Sequence, residues 1–153
     1  MSPTAFSHLG VCVADLERSR RFYREGLGFD EVGSHHVGDE FASLMEVPGV
    51  DVDSVMLARD GVTVELLRFR VPGHVGEPVR RSMNRLGLTH LSFRVDDVDA
   101  AASAIERAGG TVIAGTRTRF DAAGSALDFV YCTDPDGTRI ELMHLPAPAA
   151  GSA

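Results

Sequence analysis

An internal duplication is the feature that most constrains the fold of this chain. A shift of 82 positions places FSHLGVCVADLE, residues 6–17, on LTHLSFRVDDVD, residues 88–99. A second shift of 76 positions places RDGVTVELLRF, residues 59–69, on PDGTRIELMHL, residues 135–145. Because both the start and the end of a segment recur, the sequence predicts two copies of one structural module.

Each copy predicts the element order βαβββ, and therefore an α+β fold. In the first copy a strand is followed by a helix that Asp15 caps and that ends near Glu25. Strand-like segments then follow at residues 29–34, 41–47 and 55–69, the last of them split by a turn at 59–61.

The second copy repeats this order after residue 88. Asp97 is expected to cap a helix that ends near Ala108, where two glycines follow. Strands are predicted near residues 111–114, 127–133 and 138–145, with DPDG as a hairpin turn.

The whole chain is predicted to be one domain, residues 1–153. Module 1 covers about 6–69, a connector without periodicity covers 70–87, and module 2 covers about 88–145. A short helical stretch is expected at about 79–86 within the connector. The tail, 146–153, is rich in Pro and Ala and is expected to be disordered.

Composition limits the partners and the compartment. The chain has 22 acidic and 15 basic residues and a formal net charge of -7, which argues against nucleic acid or an anionic membrane as a partner. No apolar run approaches the ~20 residues of a membrane span, and the N-terminus lacks the pattern of a signal peptide. With two cysteines in strand-like segments, the sequence predicts a cytoplasmic protein with reduced thiols.

Two histidines and two glutamates occupy equivalent positions in the two modules. His8 and His90 lie at the same position of the first strand, and Glu65 and Glu141 lie at the same position of the last strand. Strand alternation places all four on the face opposite the one that packs on the helix. If the modules pair edge to edge in one curved mixed sheet with the helices outside, these four side chains converge on its concave side.

Imidazole and carboxylate groups together suit a divalent metal ion such as Ni, Zn, Co, Fe or Mn. Two neutral histidines and two glutamates carry two negative charges, which one dication neutralises. Four ligands on an octahedral ion leave two positions for a small-molecule substrate with two adjacent oxygens. The alternative is a binding protein in which the same histidines and acids only line a cavity.

The paired modules resemble the vicinal oxygen chelate superfamily, which contains glyoxalases, bleomycin-resistance proteins and dioxygenases. The resemblance rests on SHLGVCVADLERSRRFYREGLGF, VTVELLRF, LTHLSFRVDDVDAAASAIERAGG and TDPDGTRIELM, and it extends from about Phe6 to Leu145. It implies the paired βαβββ fold and a homodimer. It does not select one reaction, because the superfamily hosts several.

By position, the resemblance implies His8, Glu65, His90 and Glu141 as metal ligands, the pattern of glyoxalase I and, with a variation, of methylmalonyl-CoA epimerase. It implies a lyase or isomerase that removes a proton next to a carbonyl through an enediolate, with Glu65 or Glu141 as the base. Extradiol dioxygenases leave the Glu65 position without a ligand. A dioxygenase and a non-catalytic resistance protein remain as alternatives.

An epimerase of this family carries a further glutamate on a strand of the first module as a second base. Glu46 is the nearest acidic residue, but it is out of register, and the position falls near Ala42. The sequence therefore favours isomerase or lyase chemistry over epimerisation. His35 and His36 are interpreted as loop residues without a metal role.

Overall fold

Two β-sheets, one in each half of the chain, carry the fold. A computed structural model describes residues 2–122 and 125–145, so the predicted disordered tail lies outside the described residues. The chain divides into two units, one up to Pro78 and one from Val79 onward. Of the helices in the described residues, none has the length and hydrophobicity of a transmembrane segment.

The first unit has the order βαβββ with short helical segments added. Its elements are β1 (Leu9–Cys12), α1 (Leu16–Arg21), a π-helical turn (Phe22–Gly26), β2 (Asp30–Val37), a 3-10 turn (Asp39–Phe41), α2 (Ala42–Met45), β3 (Asp51–Arg59) and β4 (Val62–Val71). The sheet order is β1-β4-β3-β2. β1 runs parallel to β4, while the other neighbours are antiparallel.

Helix α1 packs on one face of this sheet, so the polar side chains of the strands can lie on the opposite face. Asp15 caps it, because its carboxylate accepts a hydrogen bond from the Arg18 amide at 3.0 Å. The helix packs on β3 and β4, and the following Phe22 and Tyr23 are fully buried. Because apolar side chains are buried against this helix, alternate residues of the strands point to this face and the residues between them point to the other.

The second unit has the same order with one added strand, β7. Its elements are β5 (Leu91–Arg94), α3 (Val98–Arg107), β6 (Thr111–Val112), a 3-10 turn (Ala114–Thr116), β7 (Thr118–Ala122), β8 (Ser125–Thr133) and β9 (Arg139–His144). The strand order is β5-β9-β8-β6, and β7 also pairs with β8. β5 is parallel to β9, as β1 is to β4.

Helix α3 covers one face of the second sheet. The Asp97 carboxylate accepts a hydrogen bond from the Ala100 amide at 2.9 Å, which matches the cap of α1. Val98, Ala102 and Ile105 are buried, at the spacing of one helical face. The predicted α+β class, the duplicated order and both helix caps are confirmed.

Two predicted elements are wrong, and one strand was not predicted. Residues 41–47 form a 3-10 turn and α2 instead of a strand: Phe41, Leu44 and Met45 recur at the i, i+3, i+4 spacing of a helix, and Pro48 follows. Residues 79–86 form turns instead of a helix, because their apolar side chains are exposed and a short helix needs packing to be stable.

The third error is a strand that the sequence did not predict, β7. It pairs with β8 through Thr118–Phe129 and the following positions. Just before it, the Arg117 guanidinium makes a bidentate ion pair with Asp128, at 2.5 Å for Nε to Oδ1. The pairing is local, since Ala122 lies opposite Ser125, but Thr118, Arg119 and Asp121 interrupt the apolar pattern of a strand, so composition did not reveal it.

Candidate metal centre

The first unit brings two of the predicted ligands together. His8 lies just before β1, and Glu65 lies on β4 opposite Gly10. The His8 Nε2 atom is 3.2 Å from Glu65 Oε2. The flanking Val64 and Leu66 are buried on the other face of the strand, so alternation leaves the glutamate on the helix-free face.

The second unit brings the other two together in the same way. His90 lies just before β5, and Glu141 lies on β9 opposite Ser92. The His90 Nε2 atom is 3.4 Å from Glu141 Oε2. Buried Ile140 and Leu142 flank this glutamate. Each half of the duplication therefore contains one equivalent His–Glu pair.

The residue before each histidine contacts the other ring nitrogen. Ser7 Oγ is 2.9 Å from His8 Nδ1, and Thr89 Oγ1 is 2.9 Å from His90 Nδ1. With the ring proton on Nδ1, that hydroxyl would accept it, and Nε2 would be free to bind a metal ion.

A serine hydroxyl also donates to each glutamate, but from a different strand in each unit. Ser54 on β3 donates to Glu65 Oε1 at 2.6 Å. Ser92 on β5 donates to Glu141 Oε2 at 2.7 Å. Ser54 is 2% exposed, whereas Ser92 is exposed. These hydrogen bonds fix the orientation of the carboxylates.

Tyr131 is a further member of the second pair that the sequence reasoning missed. It lies opposite Glu141 on β8, and its ring meets the His90 ring edge-on at 5.5 Å between centroids. Burial raises the pKa of the Tyr131 hydroxyl, and so do the charge of Glu141 and a hydrogen bond to it. The register across the DPDG hairpin would have identified this residue.

The spacing within each pair fits two ligands of one metal ion. Ligand atoms about 2.1 Å from a metal are about 3.0 Å apart at a right angle and about 3.4 Å apart at a tetrahedral angle. The measured separations of 3.2 and 3.4 Å fall at or between these values. Within residues 2–122 and 125–145, no group of three or more His, Cys, Asp or Glu side chains is placed to hold a metal. Each pair by itself brings together two potential ligand atoms.

A cavity of about 600 Å³ adjoins the His8–Glu65 pair within the first unit. Phe41, Leu44 and Met45, from the 3-10 turn and α2, line it on the apolar side. The segment that was predicted to be a strand therefore forms a wall of this cavity. The cavity joins a polar pair to an apolar surface, which is typical of a small-molecule site.

Three other histidines, His35, His36 and His144, lie outside these two pairs. His35 and His36 are on β2 and not in a loop, which corrects the prediction, and both border the 600 Å³ cavity. The His36 Nδ1 atom is 3.0 Å from Asp53 Oδ1. His144 lies on a second cavity, of about 450 Å³, and its Nδ1 is 3.2 Å from the Val95 carbonyl oxygen.

Several curated proteins are similar to this chain. A 2-epi-5-epi-valiolone epimerase from an Actinomyces species is 28% identical, over 95% of this chain and 81% of that protein. An ethylmalonyl-CoA/methylmalonyl-CoA epimerase from Cereibacter sphaeroides is 27% identical, over 89% and 94%. A probable lactoylglutathione lyase from Vibrio parahaemolyticus is 28% identical, over 99% and 98%. These relatives are named as enzymes of two kinds, epimerases and a lyase.

Solved structures have the same fold. A glyoxalase family protein from Bacillus cereus superposes with a TM-score of 0.80, at 20% identity, over 94% of this chain and 95% of that one. A fosfomycin resistance protein from Listeria monocytogenes, solved with Mn(II) and sulfate, gives a TM-score of 0.56, at 16% identity, over 95% of each chain. The profile of the Glyoxalase/Bleomycin resistance protein/Dioxygenase superfamily matches residues 5–142, and the chain belongs to that superfamily.

Proposed function

We propose that this protein is a divalent-metal-dependent enzyme of the glyoxalase I type, an isomerase or lyase that moves a proton next to a carbonyl group. The observation that carries the proposal is the pair of equivalent His–Glu contacts, at 3.2 and 3.4 Å. Each pair has a hydroxyl at the histidine Nδ1 and another at the carboxylate. Side chains that only face solvent would not need these hydrogen bonds to fix their orientation.

The proposed ligands are His8, Glu65, His90 and Glu141. With neutral histidines they carry two negative charges, which match a dication of the Ni, Zn, Co, Fe or Mn type. When bound, that ion would act as a Lewis acid toward two adjacent oxygens of the substrate. Ser54 and Ser92 would hold the two carboxylates in orientation toward it.

Glu65 is the better candidate for the base. Its carboxylate borders the 600 Å³ cavity, where a substrate has room. Glu141 is held by Ser92 and also by a hydrogen bond with Tyr131. A carboxylate that moves a proton must be able to approach the substrate, and Glu65 fits that role because it borders the cavity.

In the proposed reaction the C–H bond next to the carbonyl breaks and Glu65 accepts the proton. The electron pair of that bond moves toward the carbonyl oxygen. Glu65 then returns the proton to the neighbouring carbon, which completes a proton shift along the substrate. Phe41 and Leu44 would contact an apolar part of the substrate and exclude water from it.

Epimerisation is the second candidate, because two of the relatives are named epimerases. It begins with the same proton removal, but the proton returns to the opposite face of the same carbon. A dioxygenase would instead consume oxygen, and a resistance protein of the metabolite-binding kind would bind a ligand without turnover. These four outcomes differ in measurable ways.

Metal binding is the first test. The purified apoprotein should bind Ni²⁺, Co²⁺ or Zn²⁺ in calorimetry, and Glu65→Gln and Glu141→Gln should each weaken binding by at least tenfold. His144→Gln is the matched control, because that histidine contacts the Val95 carbonyl instead. Equal metal affinity in wild type and both glutamine variants would contradict the proposed ligand set.

Turnover is the second test. The metal-loaded protein is offered the hemithioacetal of methylglyoxal and glutathione, and methylmalonyl-CoA, in deuterium oxide. Deuterium incorporation at the carbon next to the carbonyl, lost in Glu65→Gln, supports the proposal. Oxygen uptake would favour the dioxygenase, and metal-independent binding without exchange would favour the resistance protein.

We also propose a homodimer. Mixing Glu65→Gln chains with Glu141→Gln chains tests how the ligands are assembled. Recovery of part of the wild-type metal affinity in the mixture means that two chains share each ion. If the mixture stays as weak as the two variants, one chain supplies all four ligands.

A further inference from the structure

We propose that Arg139 and Arg80 form a binding site for an oxyanion, a carboxylate or a phosphate group, beside the His90–Glu141 pair. Neither arginine belongs to the proposed ligand set. Both lie within the second unit. The consequence for the substrate rests on the proposed function, whereas binding of the anion does not.

Arg139 carries a buried positive charge without a negative partner. The residue lies on β9 and is 8% exposed. Among the residues that the structure describes, no carboxylate lies within ion-pair distance of it, and its single hydrogen bond runs from Nη2 to the Arg81 carbonyl oxygen at 2.8 Å. Because water solvates a buried charge poorly, this arrangement is unfavourable until an anion joins it.

The position of Arg139 places that charge next to the second His–Glu pair. Arg139 and Glu141 are two positions apart on β9, so they share a face and are about 7 Å apart along the strand. Tyr131 connects them. Its ring centroid is 5.0 Å from the Arg139 Cζ atom, and its hydroxyl donates a hydrogen bond to Glu141. The ring therefore holds the guanidinium beside the glutamate.

The guanidinium still has N–H groups that a ligand can reach. It has five of them, and Arg81 takes one. Of the buried side-chain nitrogen and oxygen atoms in the described part of the chain, only Asp51 Oδ1 lacks a hydrogen-bond partner. The remaining nitrogens of Arg139 must therefore contact solvent. Two neighbouring N–H groups match two oxygens of a carboxylate or a phosphate.

Arg80 adds a second positive charge at this place. Its backbone lies close to the hairpin turn before β9, because a Cβ at Gly137 would be 2.7 Å from the Val79 carbonyl carbon and 3.0 Å from the Arg80 nitrogen. Burial lowers the pKa of Arg139, and the charge of Arg80 lowers it further. Two like charges held near each other are stabilised by a shared anion.

Other partly buried arginines of this protein have carboxylate partners. Arg117 pairs with Asp128 at 2.5 Å, and Arg20 pairs with Glu31 at 2.6 Å. The sequence has 22 acidic residues and a net charge of -7, so carboxylates are not scarce. The unpaired charge of Arg139 therefore indicates a partner that comes from a ligand.

The substrate class follows from this placement. Two adjacent oxygens of the substrate would bind the proposed metal ion, and a carboxylate or phosphate group close to them would bind Arg139. A neutral substrate would leave the guanidinium unpaired, so the site should select an anionic one.

The first test uses metal-free protein labelled with ¹⁵N. Sodium acetate and inorganic phosphate are added separately at constant ionic strength, and the arginine Nε–Hε resonances are followed by NMR. The Arg139 resonance should shift and saturate with at least one of the two anions, which tells a carboxylate site from a phosphate site. The resonance of Arg107, which is exposed in the last turn of α3, should not saturate.

Variants are compared by the same titration, read at the backbone amides of β9. Arg139→Gln should weaken anion binding by at least about tenfold. Arg139→Lys keeps the charge without the paired N–H groups and should bind with intermediate affinity. Arg80→Gln should have a smaller effect, about two- to fivefold, because Arg80 is exposed. Arg107→Gln removes the same charge elsewhere and should match wild type.

The second test relates the anion site to the metal centre. Succinohydroxamate has two adjacent oxygens and a carboxylate, and its methyl ester lacks the negative charge of that carboxylate. Calorimetry on Zn²⁺-loaded wild type should show the acid binding at least about tenfold more tightly than the ester. In Arg139→Gln the two compounds should bind equally.

The outcomes distinguish this inference from the proposed function. No saturable shift with either anion in wild type, or an equal loss in Arg107→Gln and Arg139→Gln, would overturn the anion site. If Arg139→Gln does not fold, Arg139→Lys and Arg80→Gln decide by the same titration. Equal binding of acid and ester to wild type overturns the inferred substrate class. Anion binding without metal or hydroxamate binding contradicts the proposed function and leaves the anion site intact.

Discussion

Replacing Ser54 with alanine should weaken metal binding by about 10- to 100-fold, toward the upper end of that range. The Ser54 hydroxyl donates to the Glu65 carboxylate at 2.6 Å, and the serine is 2% exposed. A hydrogen bond to a charged group contributes about 1.5–3 kcal/mol, and 1.4 kcal/mol corresponds to tenfold in affinity. Because water cannot easily replace a buried hydroxyl, most of this contribution should be lost.

Ser92→Ala is the matched comparison in the other unit. Ser92 donates to Glu141 at a similar distance, 2.7 Å, but it is exposed, so water can take its place. Its effect should therefore remain below about tenfold. Calorimetry with Zn²⁺ or Ni²⁺ on apoprotein measures both variants. An affinity of Ser54→Ala within twofold of wild type, or a larger loss in Ser92→Ala, would refute this reasoning.

Three further predictions concern the fold. Gly137→Ala should lower the urea midpoint more than Gly109→Ala does. Both glycines have positive φ, 90° and 95°, so an alanine at either position is strained by about 1–3 kcal/mol. Only at position 137 would the added Cβ also meet backbone atoms, at 2.7 Å. Burial raises the pKa of the Cys132 thiol to about 11, so iodoacetamide at pH 8 should label exposed Cys12 and leave Cys132 unmodified in mass spectrometry. Burial raises the pKa of Asp128 but its two arginine partners lower it more, so its pKa lies below the usual value. Its stabilising effect is present above about pH 4 and lost as the pH falls further, and Asp128→Asn should flatten the acid side of a stability profile.

Residues that alternate along strands were predictable from sequence. The buried neighbours of Glu65 and Glu141 identify the helix face, and a period of two then fixes the opposite face for the glutamates. The caps Asp15 and Asp97 were predictable because an N-cap acts within three residues. Both inferences need local sequence and the duplication, and nothing else.

Features that depend on which strands are neighbours were not predictable. His35 meets Ser54 through cross-strand pairing that local composition does not encode. Tyr131 was missed for a different reason, because the register of the predicted DPDG hairpin, which places it opposite Glu141, was not worked out. The wall formed by Phe41 and Leu44 was missed because a short apolar segment fits a strand or a helix equally well. His35 was interpreted as a loop residue because it lies beside Gly33 in a polar stretch, which is typical of a loop.

The two units support their glutamates from different strands, and this difference allows a rescue experiment. Gly10 occupies in β1 the position that Ser92 occupies in β5, opposite the glutamate in each case. A Cβ at Gly10 would lie 3.4 Å from Leu67 Cδ1, an ordinary contact, and the backbone there is extended. A serine at position 10 could therefore donate to Glu65 as Ser92 donates to Glu141.

In the Ser54→Ala background, Gly10→Ser should recover at least tenfold of the lost metal affinity. Gly10→Ala in the same background is the control, because it adds the Cβ without the hydroxyl. If alanine restores binding as well as serine does, packing against Leu67 and not hydrogen bonding is responsible. Recovery by serine alone means that the site requires one hydroxyl donor for each carboxylate. Either neighbouring strand can then supply that hydroxyl. The two copies then diverged in sequence at this position while they kept the same chemistry.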